Sequence, residues 1–394
     1  MSEGSAAAQR HPAAPLATVA YEWTRIGATG FGGPPAHIAL LRELCVERRR
    51  WLGEEQFEDA IAATNLLPGP ASTQLAIFCA WRVAGVPGAM VGGLSFILPG
   101  LVLIVALAAL FLGGSPPAWV LGAGAGAGAA VAAVAVQAGV SLAPGSWRRA
   151  AGTQRVRWGA YVVLGAVGAA AVGPWLVLVL IACGAVELVW RHSVGGTRVA
   201  GHAWPLLPLA GAVLGTGSLG ALTWTALKVG ALSYGGGFVI IPLMQADAVG
   251  VNGWMTDGQF LNAVALGQVT PGPVVHTVAV VGYAAAGLGG ALLASAVAFA
   301  PSFLFIVIGA ERFDRLVANA GVRAFLAGAG PAAIGAIIGS AVPLTLALGA
   351  AWQYAVLAAS ALALLALRRS VVATLLVAGF VGAMAALVGA PLPS

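Results

Sequence analysis

Apolar residues fall along this chain in blocks of about 15 to 27, long enough for membrane-crossing helices and without the alternation of barrel strands. A small polar stretch over 1–15, with two prolines and no signal-peptide core, is expected to be a disordered tail. Blocks then cover roughly 16–46, 64–82, 86–112, 119–142, 158–173 and 174–190, and a run at 204–217 with Pro205 and Pro208 is marginal as a span. The pattern predicts an all-α integral membrane protein.

Several blocks are broken from within. Residues 64–74 read TNLLPGPASTQ, and Pro68, Gly69 and Pro70 forbid a continuous helix because proline lacks the N–H and its ring clashes with the preceding turn. Gly32, Gly33 and Pro34, in GFGGPPA, make another break, and GQVTPGPVVHT at 267–277 repeats the first device. Non-helical backbone at membrane depth is tolerated only where it is buried in protein or lines a watery cavity.

The breaks recur because the chain is duplicated. A shift of 203 places Phe31, Gly32 and Gly33 on Tyr234, Gly235 and Gly236, Trp51 on Trp254, and Pro68, Gly69 and Pro70 on Pro271, Gly272 and Pro273. From Tyr21 to Gln74 the register gives 15 identities in 54 positions. It puts Arg25 on Lys228, Asn65 on Gln268 and Thr73 on His276; at a shift of 202, Pro99 meets Pro301. The expected division is a first repeat over 16–200, a linker over 201–218 and a second repeat over 219–394.

Charge orients the repeats. The loop from Arg42 to Arg50 is basic and its counterpart, 245–258, has no Lys or Arg; the loop at 113–118 has none and its counterpart carries Arg312, Arg315 and Arg323. The positive-inside rule therefore predicts opposite topology for the two halves. It also favours a re-entrant hairpin over a crossing for the LPGP segment, which leaves Arg48, Arg82, the arginines at 148–157, Arg191 and Arg368 all cytoplasmic.

Composition narrows the function. The chain has 60% hydrophobic and only 8% charged residues, against about 25% charged in soluble domains. The net charge of +6 sits at block ends, as topology requires, and implies no nucleic-acid partner. Cys45, Cys79 and Cys183 are dispersed, without metal-ligand spacing, so neither a metal nor a cofactor is expected. An enzyme would need a nucleophile, base and orienter, and no such set is visible.

The candidate chemistry gathers at the breaks. Arg25 and Lys228 are cations inside apolar blocks at repeat-equivalent places, expected to face the interior and attract an anion. Helices restarting after GGPP, GGGF (Gly235, Gly236 and Gly237) or PGP present unpaired N–H groups and a positive dipole end, suited to oxyanions. Asn65, Thr73, Gln74, Gln268, Thr270, His276 and Thr277 are polar neighbours able to hydrogen-bond a solute, with Thr29 and Ser233 beside them.

FGGPPAHIALLRE, NLLPGPASTQLAIFCAW, YGGGFVIIPLMQ and GQVTPGPVVHTVAVVGY resemble the signature segments of the chromate ion transporter family in its long two-domain form. The resemblance implies two inverted homologous halves and export of chromate across the inner membrane, driven by the electrochemical gradient. It also implies functional importance for Gly32, Gly33, Pro34, His37, Pro68, Gly69, Pro70, Gly235, Gly236, Pro271, Gly272 and Pro273. The expected partners are chromate or a sulfate-like dianion and the lipid bilayer, with the proton as candidate coupling ion and a homodimer as candidate assembly.

Overall fold

The computed structural model describes residues 14–64, 69–114, 116–171, 175–195, 218–233, 239–309 and 319–392; these contain helices and turns and no strand. The first repeat begins with α1 (Leu16–Thr29), α2 (Pro34–Arg42), a π-helical segment (Glu43–Arg48) and α3 (Glu54–Thr64). After the PGP break come α4 (Ala71–Leu112), α5 (Ala118–Ala129), α6 (Val131–Arg149), α7 (Gln154–Ala171) and α8 (Leu176–Gly195). The second repeat runs through α9 (Ser218–Leu232), α10 (Ile240–Gln245), a π-helical segment (Ala246–Val251) and α11 (Asp257–Val269). A single 3₁₀ turn (Val274–His276) leads into α12 (Thr277–Gly309), followed by α13 (Ala320–Gly339), α14 (Ala341–Leu346), α15 (Ala351–Ala361) and α16 (Val371–Leu387).

The duplication extends to backbone detail. The π-helical segments Glu43–Arg48 and Ala246–Val251 stand 203 residues apart at both ends; a third, Leu362–Ala366, follows α15. Inside α4, Ala84 (φ −144°, ψ 26°) and Gly85 (φ 63°, ψ −155°) leave helical geometry; inside α12, Ala286 (φ −154°, ψ 31°) and Gly287 (φ 61°, ψ −151°) do the same. The left-handed φ of Gly85 and Gly287 suits a residue without a Cβ.

These kinks turn each long helix back on itself. A Cβ at Gly93 would press on Ile77, and one at Gly92 or Gly88 on Ala80, so α4 is two antiparallel limbs folded at Gly85. Along one straight helix, residues 77 and 93 would lie about 24 Å apart. Gly282 and Gly290 approach each other in the same way across the turn of α12. The limb from Ala71 to Val83 spans roughly 20 Å at 1.5 Å per residue, too short for a bilayer core of about 30 Å. With α3 against α4, the LPGP segment has the dimensions of a broken-helix hairpin.

Among the described residues, five helical stretches are long and apolar enough to cross a membrane: 71–112, 118–149, 176–193, 274–309 and 320–346. Counting the first and fourth as single spans overlooks their turns; their second limbs, past Gly85 and Gly287, remain long enough to span. Many large apolar side chains, among them Val102, Val163, Leu304 and Phe380, face outward, as a lipid-facing surface requires.

The core forms where α4 and α12 pack together, with α1 against α4 and α9 against α12. The later helices exchange partners. α5 packs along α16 of the other repeat, and α13 packs against α7 and α8 of the first. Glycines set these crossings: a Cβ at Gly122 or Gly126 would overlap the carbonyl of Gly382 or Ala378, and one at Gly165 that of Ala332. Such small-residue seams let backbones touch where no hydrophobic force drives helices together.

Candidate functional site

Gly69 and Gly272, the middle residues of the two PGP motifs, hold equivalent places in the two repeats. Gly69 (φ 124°) and Gly272 (φ 92°) both hold left-handed backbone, and each lies beside the first helix of the opposite repeat. A Cβ on Gly69 would stand 3.5 Å from the Gly230 carbonyl, and one on Gly272 would stand 3.8 Å from that of Gly27. Gly27 and Gly230 are themselves pressed on the backbones of Phe96 and Ala298, so a side chain at either would push the turn off its neighbour.

A backbone bond ties the halves: Gly272 N–H donates to the Gly30 carbonyl at 3.1 Å. His37, fully buried on α2, reaches the same carbonyl with Nε2 at 2.9 Å. A carbonyl only accepts, so Nε2 carries the proton and, in the neutral ring, the Ser72 hydroxyl donates to Nδ1 at 3.2 Å. Phe96 stacks edge-on to His37, and Phe299 lies edge-on to His276. His276 is fully buried beside the Ile97 backbone, within electrostatic reach of His37, and neither of its ring nitrogens makes a hydrogen bond of ordinary geometry.

The restarting helices differ as anion sites. At α2, Pro34 and Pro35 lack N–H groups and those of Ala36 and His37 both turn back to the Gly33 carbonyl, so the GGPP break has little to offer an anion. At α4 the first intrahelical bond is Gln74 N–H to Pro70 O, which leaves the N–H groups of buried Ala71, Ser72 and Thr73 without a backbone acceptor among the described residues. Gly32 is exposed; Gly33 (φ 73°) and Pro34 are half-buried.

Of the polar neighbours, Thr270 donates to Leu266 O and Thr277 to Val274 O, satisfying hydroxyls within their own helices, and Thr29 does so to Arg25 O. Thr73 Oγ1 and Gln268 Nε2 are buried with no partner. Gln74 lies against Gly69 as His276 lies against Gly272. The structural mate of His276 is therefore Gln74, one residue beyond the Thr73 that the sequence register gives. Pro271 presents its carbonyl to Gly100, while Pro70 and Pro273 cap the segments that follow them. Asn65, Pro68, Gly235, Gly236 and Gly237 lie outside the described residues.

The cations do not join this centre. Arg25 is exposed and pairs with Glu22 at 3.1 Å, a buried carboxylate that Arg49 also holds at 2.8 Å. Lys228 Nζ stands 2.5 Å from Asp247 Oδ2, which also accepts from Thr225 Oγ1 at 2.9 Å, and lies over the Trp224 ring. Residue 228 is about 200° around the helix from Gly230, the residue that faces the PGP turn, so its side chain points elsewhere. In each repeat a carboxylate thus joins the first helix to the π-helical stretch or its end, with the signs exchanged. Sequence reasoning missed Asp247, which sits in a loop read as external; the buried Ser302 left no signal beyond its place in an apolar block, whereas Ser72 stands among the polar residues around the first break.

A polytopic helical membrane protein built as a twofold repeat, with broken helices and buried polar groups meeting at its centre, has the architecture of a solute transporter. The sequence model of the family described as "Chromate transporter" matches residues 17–188 and 220–394. The chain is 32% identical over 331 residues to a chromate transport protein of Cupriavidus metallidurans, covering 81% of this chain and 80% of that one. It is 31% identical over 340 residues to a probable chromate transport protein of Synechococcus elongatus, 85% of this chain and 86% of that one, and 23% identical over 310 residues to an uncharacterized transporter of Methanocaldococcus jannaschii. No solved structure matches. The chain belongs to the chromate transporter family.

Proposed function

We propose that this protein is a secondary transporter that exports chromate from the cytoplasm across the inner membrane. In this reading the two inverted halves provide alternating access to a central oxyanion site, driven by the electrochemical gradient with the proton as candidate coupling ion. The observation that carries it is the polar chain across the halves from Gly272 through Gly30 and His37 to Ser72 at the start of α4, where the first-turn N–H groups have no backbone acceptor among the described residues and the buried Thr73 hydroxyl has no partner. An oxyanion accepts many hydrogen bonds and is stabilised at a helix N-terminus. Such a site needs no bare cation, consistent with Arg25 and Lys228 being neutralised by carboxylates.

The test is chromate accumulation in inside-out vesicles holding the purified protein, with imposed pH and electrical gradients and with sulfate as competitor. Chromate uptake above that of protein-free vesicles, abolished when the gradients collapse, is expected. Sulfate uptake without chromate uptake would reassign the substrate to another tetrahedral dianion, and flux of neither would overturn the reading. Flavin or haem absorbance in the purified protein would favour an enzyme instead.

A further inference from the structure

Three carboxylates are buried among the described residues, and they are held in two different ways. Glu22 lies among Arg25 at 3.1 Å, Arg49 at 2.8 Å and Arg48 at 3.7 Å, while Glu187 binds Arg157 at 2.8 Å, Arg191 at 2.9 Å and the Tyr161 hydroxyl at 3.1 Å. Asp247 has a single cation, the Lys228 ammonium at 2.5 Å, and the Thr225 hydroxyl as a further donor. To accept a proton, Glu22 or Glu187 must give up charged hydrogen bonds to several guanidinium groups, which never release protons of their own. Asp247 need part from only one ammonium.

That ammonium has a second seat, because Lys228 Nζ lies 5.7 Å from the centre of the Trp224 ring, whose face attracts a cation. The pair is also not sealed in the core as His37 and His276 are: both side chains keep some exposure, and Asn252, in the loop before α11, donates to the Asp247 carbonyl at 2.8 Å. Little else near it can titrate. Of the elements packed with the π-helical segment 246–251, α9 carries Lys228 as its one charged residue, α10 has no titratable side chain, and α11 has Asp257, which is exposed and accepts from Gln245 Nε2 at 3.0 Å. The shift of 203 sets Thr225 on Glu22 and Asp247 on Leu44, so the carboxylate has changed elements between the halves. One half's joint is locked by guanidinium groups; the other's can open.

We propose that the Lys228–Asp247 pair is the site at which the transporter takes up its coupling proton. This rests on the transporter reading above and names the residues for the coupling it invokes. An Asp247 carboxylate oxygen accepts a proton from a hydronium ion, leaving water; the bond from Nζ breaks and the ammonium moves onto the Trp224 face. The pair, neutral as a whole, becomes singly positive, and α9 is unfastened from its π-helical segment. Release of the proton on the other side restores the ion pair. In the inverted arrangement Asp247 lies toward the outer face, where a proton driven inward enters. Ionisable groups inside membrane helices commonly serve as such relays. Lys228 is on the far face of α9 from Gly230, which rests on the Ala298 backbone of α12, so α9 joins the proton site to the centre while the pair stays clear of the anion.

The experiment compares two readouts in inside-out vesicles holding the full-length protein: chromate accumulation driven by an acid interior with the electrical potential clamped at zero, and chromate counterflow with no gradient. Both sides are kept alkaline enough for chromate to remain a dianion. The parent should show both. Lys228→Arg preserves the ion pair but clamps the carboxylate with a planar guanidinium, so it should lose the accumulation driven by the pH gradient and keep counterflow; Asp247→Asn, which has no proton to exchange, should do the same. A purely structural pair would leave Lys228→Arg accumulating like the parent, which overturns the assignment. Loss of counterflow together with accumulation would place the pair in the substrate site or the fold and overturn it as well. If neither single variant folds, Lys228→Ala/Asp247→Ala, which leaves no buried charge, takes their place under the same criteria. A parent that accumulates chromate with an electrical potential and never with a pH gradient overturns this inference alone. A parent that carries neither chromate nor sulfate under any gradient overturns the transporter reading with it.

Discussion

The Lys228–Asp247 pair offers a sharp test of whether the second intramembrane cation is structural or substrate-bearing. The side chains are 13% and 7% exposed, their charged atoms 2.5 Å apart, and Thr225 donates to the same carboxylate oxygen. Lys228→Ala leaves a buried carboxylate with one hydroxyl donor, and breaking a buried pair in this way costs about 3 to 5 kcal/mol. Replacing both partners by small apolar residues removes the uncompensated charge, and such replacements are often close to neutral. The double variant Lys228→Ala/Asp247→Ala should therefore be more stable than either single one, with a coupling energy above about 2 kcal/mol. Denaturant unfolding of detergent-purified protein, followed by tryptophan fluorescence, gives the four corners of the cycle. Additive single costs would refute the pairing. Chromate affinity of a folded double variant adds a second arm: near-parental affinity is expected if the pair only fastens α9 to its π-helical segment, and a loss of tenfold or more would make Lys228 a substrate ligand. Arg25→Ala should cost within about 1 kcal/mol, because Arg25 is exposed and Glu22 keeps Arg49.

Gly230→Ala should sharply lower the monodisperse fraction in size-exclusion chromatography, since its Cβ would overlap the Ala298 backbone, whereas Gly250→Ala, with nothing within 4 Å, should not. Glu187→Ala should destabilise the protein by about 3 kcal/mol or more in the same unfolding assay, because buried Glu187 binds Arg157 at 2.8 Å, Arg191 at 2.9 Å and the Tyr161 hydroxyl at 3.1 Å. Single cysteines beside Arg48 and at Gly250, in a background without the native three, should react with an impermeant thiol reagent from opposite sides of the membrane; same-side labelling contradicts inverted halves. Cysteines just before Glu58 and just after Trp81 should react from one side, as a re-entrant hairpin requires.

Much of this architecture is legible in the residues because it is written twice. The LPGP and TPGP breaks mark the centre, and their common register reaches even the π-helical segments, which no local propensity would have located. The fold-back at Gly85 was half visible as a boundary between Arg82 and Val86; that the limbs pack antiparallel depends on the small faces of Ala80, Gly88 and Gly92. The mate of His276 was misplaced by one residue because the repeats share almost nothing between Pro70 and Ala84 to fix the register. The cations were visible and their neutralisation was not. Asp247 is 19 residues from Lys228, and Arg49 is 27 from Glu22, so each pair closes only when the π-helical region docks on the first helix. Which glycine faces meet across the halves is likewise a property of three-dimensional packing and carries no one-dimensional mark.

The exchange of late helices between halves bears on how access to the two sides could alternate. A rocking motion is usually pictured as one sequence repeat turning against the other. Here α5 is seamed to α16 through Gly122, Gly126 and Gly382, and α13 to α7 and α8 through Gly165, Gly335 and Gly328. Turning one repeat as a rigid unit would tear both seams at backbone contacts that have no side chains to slide. If access alternates as proposed, its rigid bodies would be mosaics, each assembled from both halves of the chain, and a hinge sought at the repeat boundary would be sought in the wrong place.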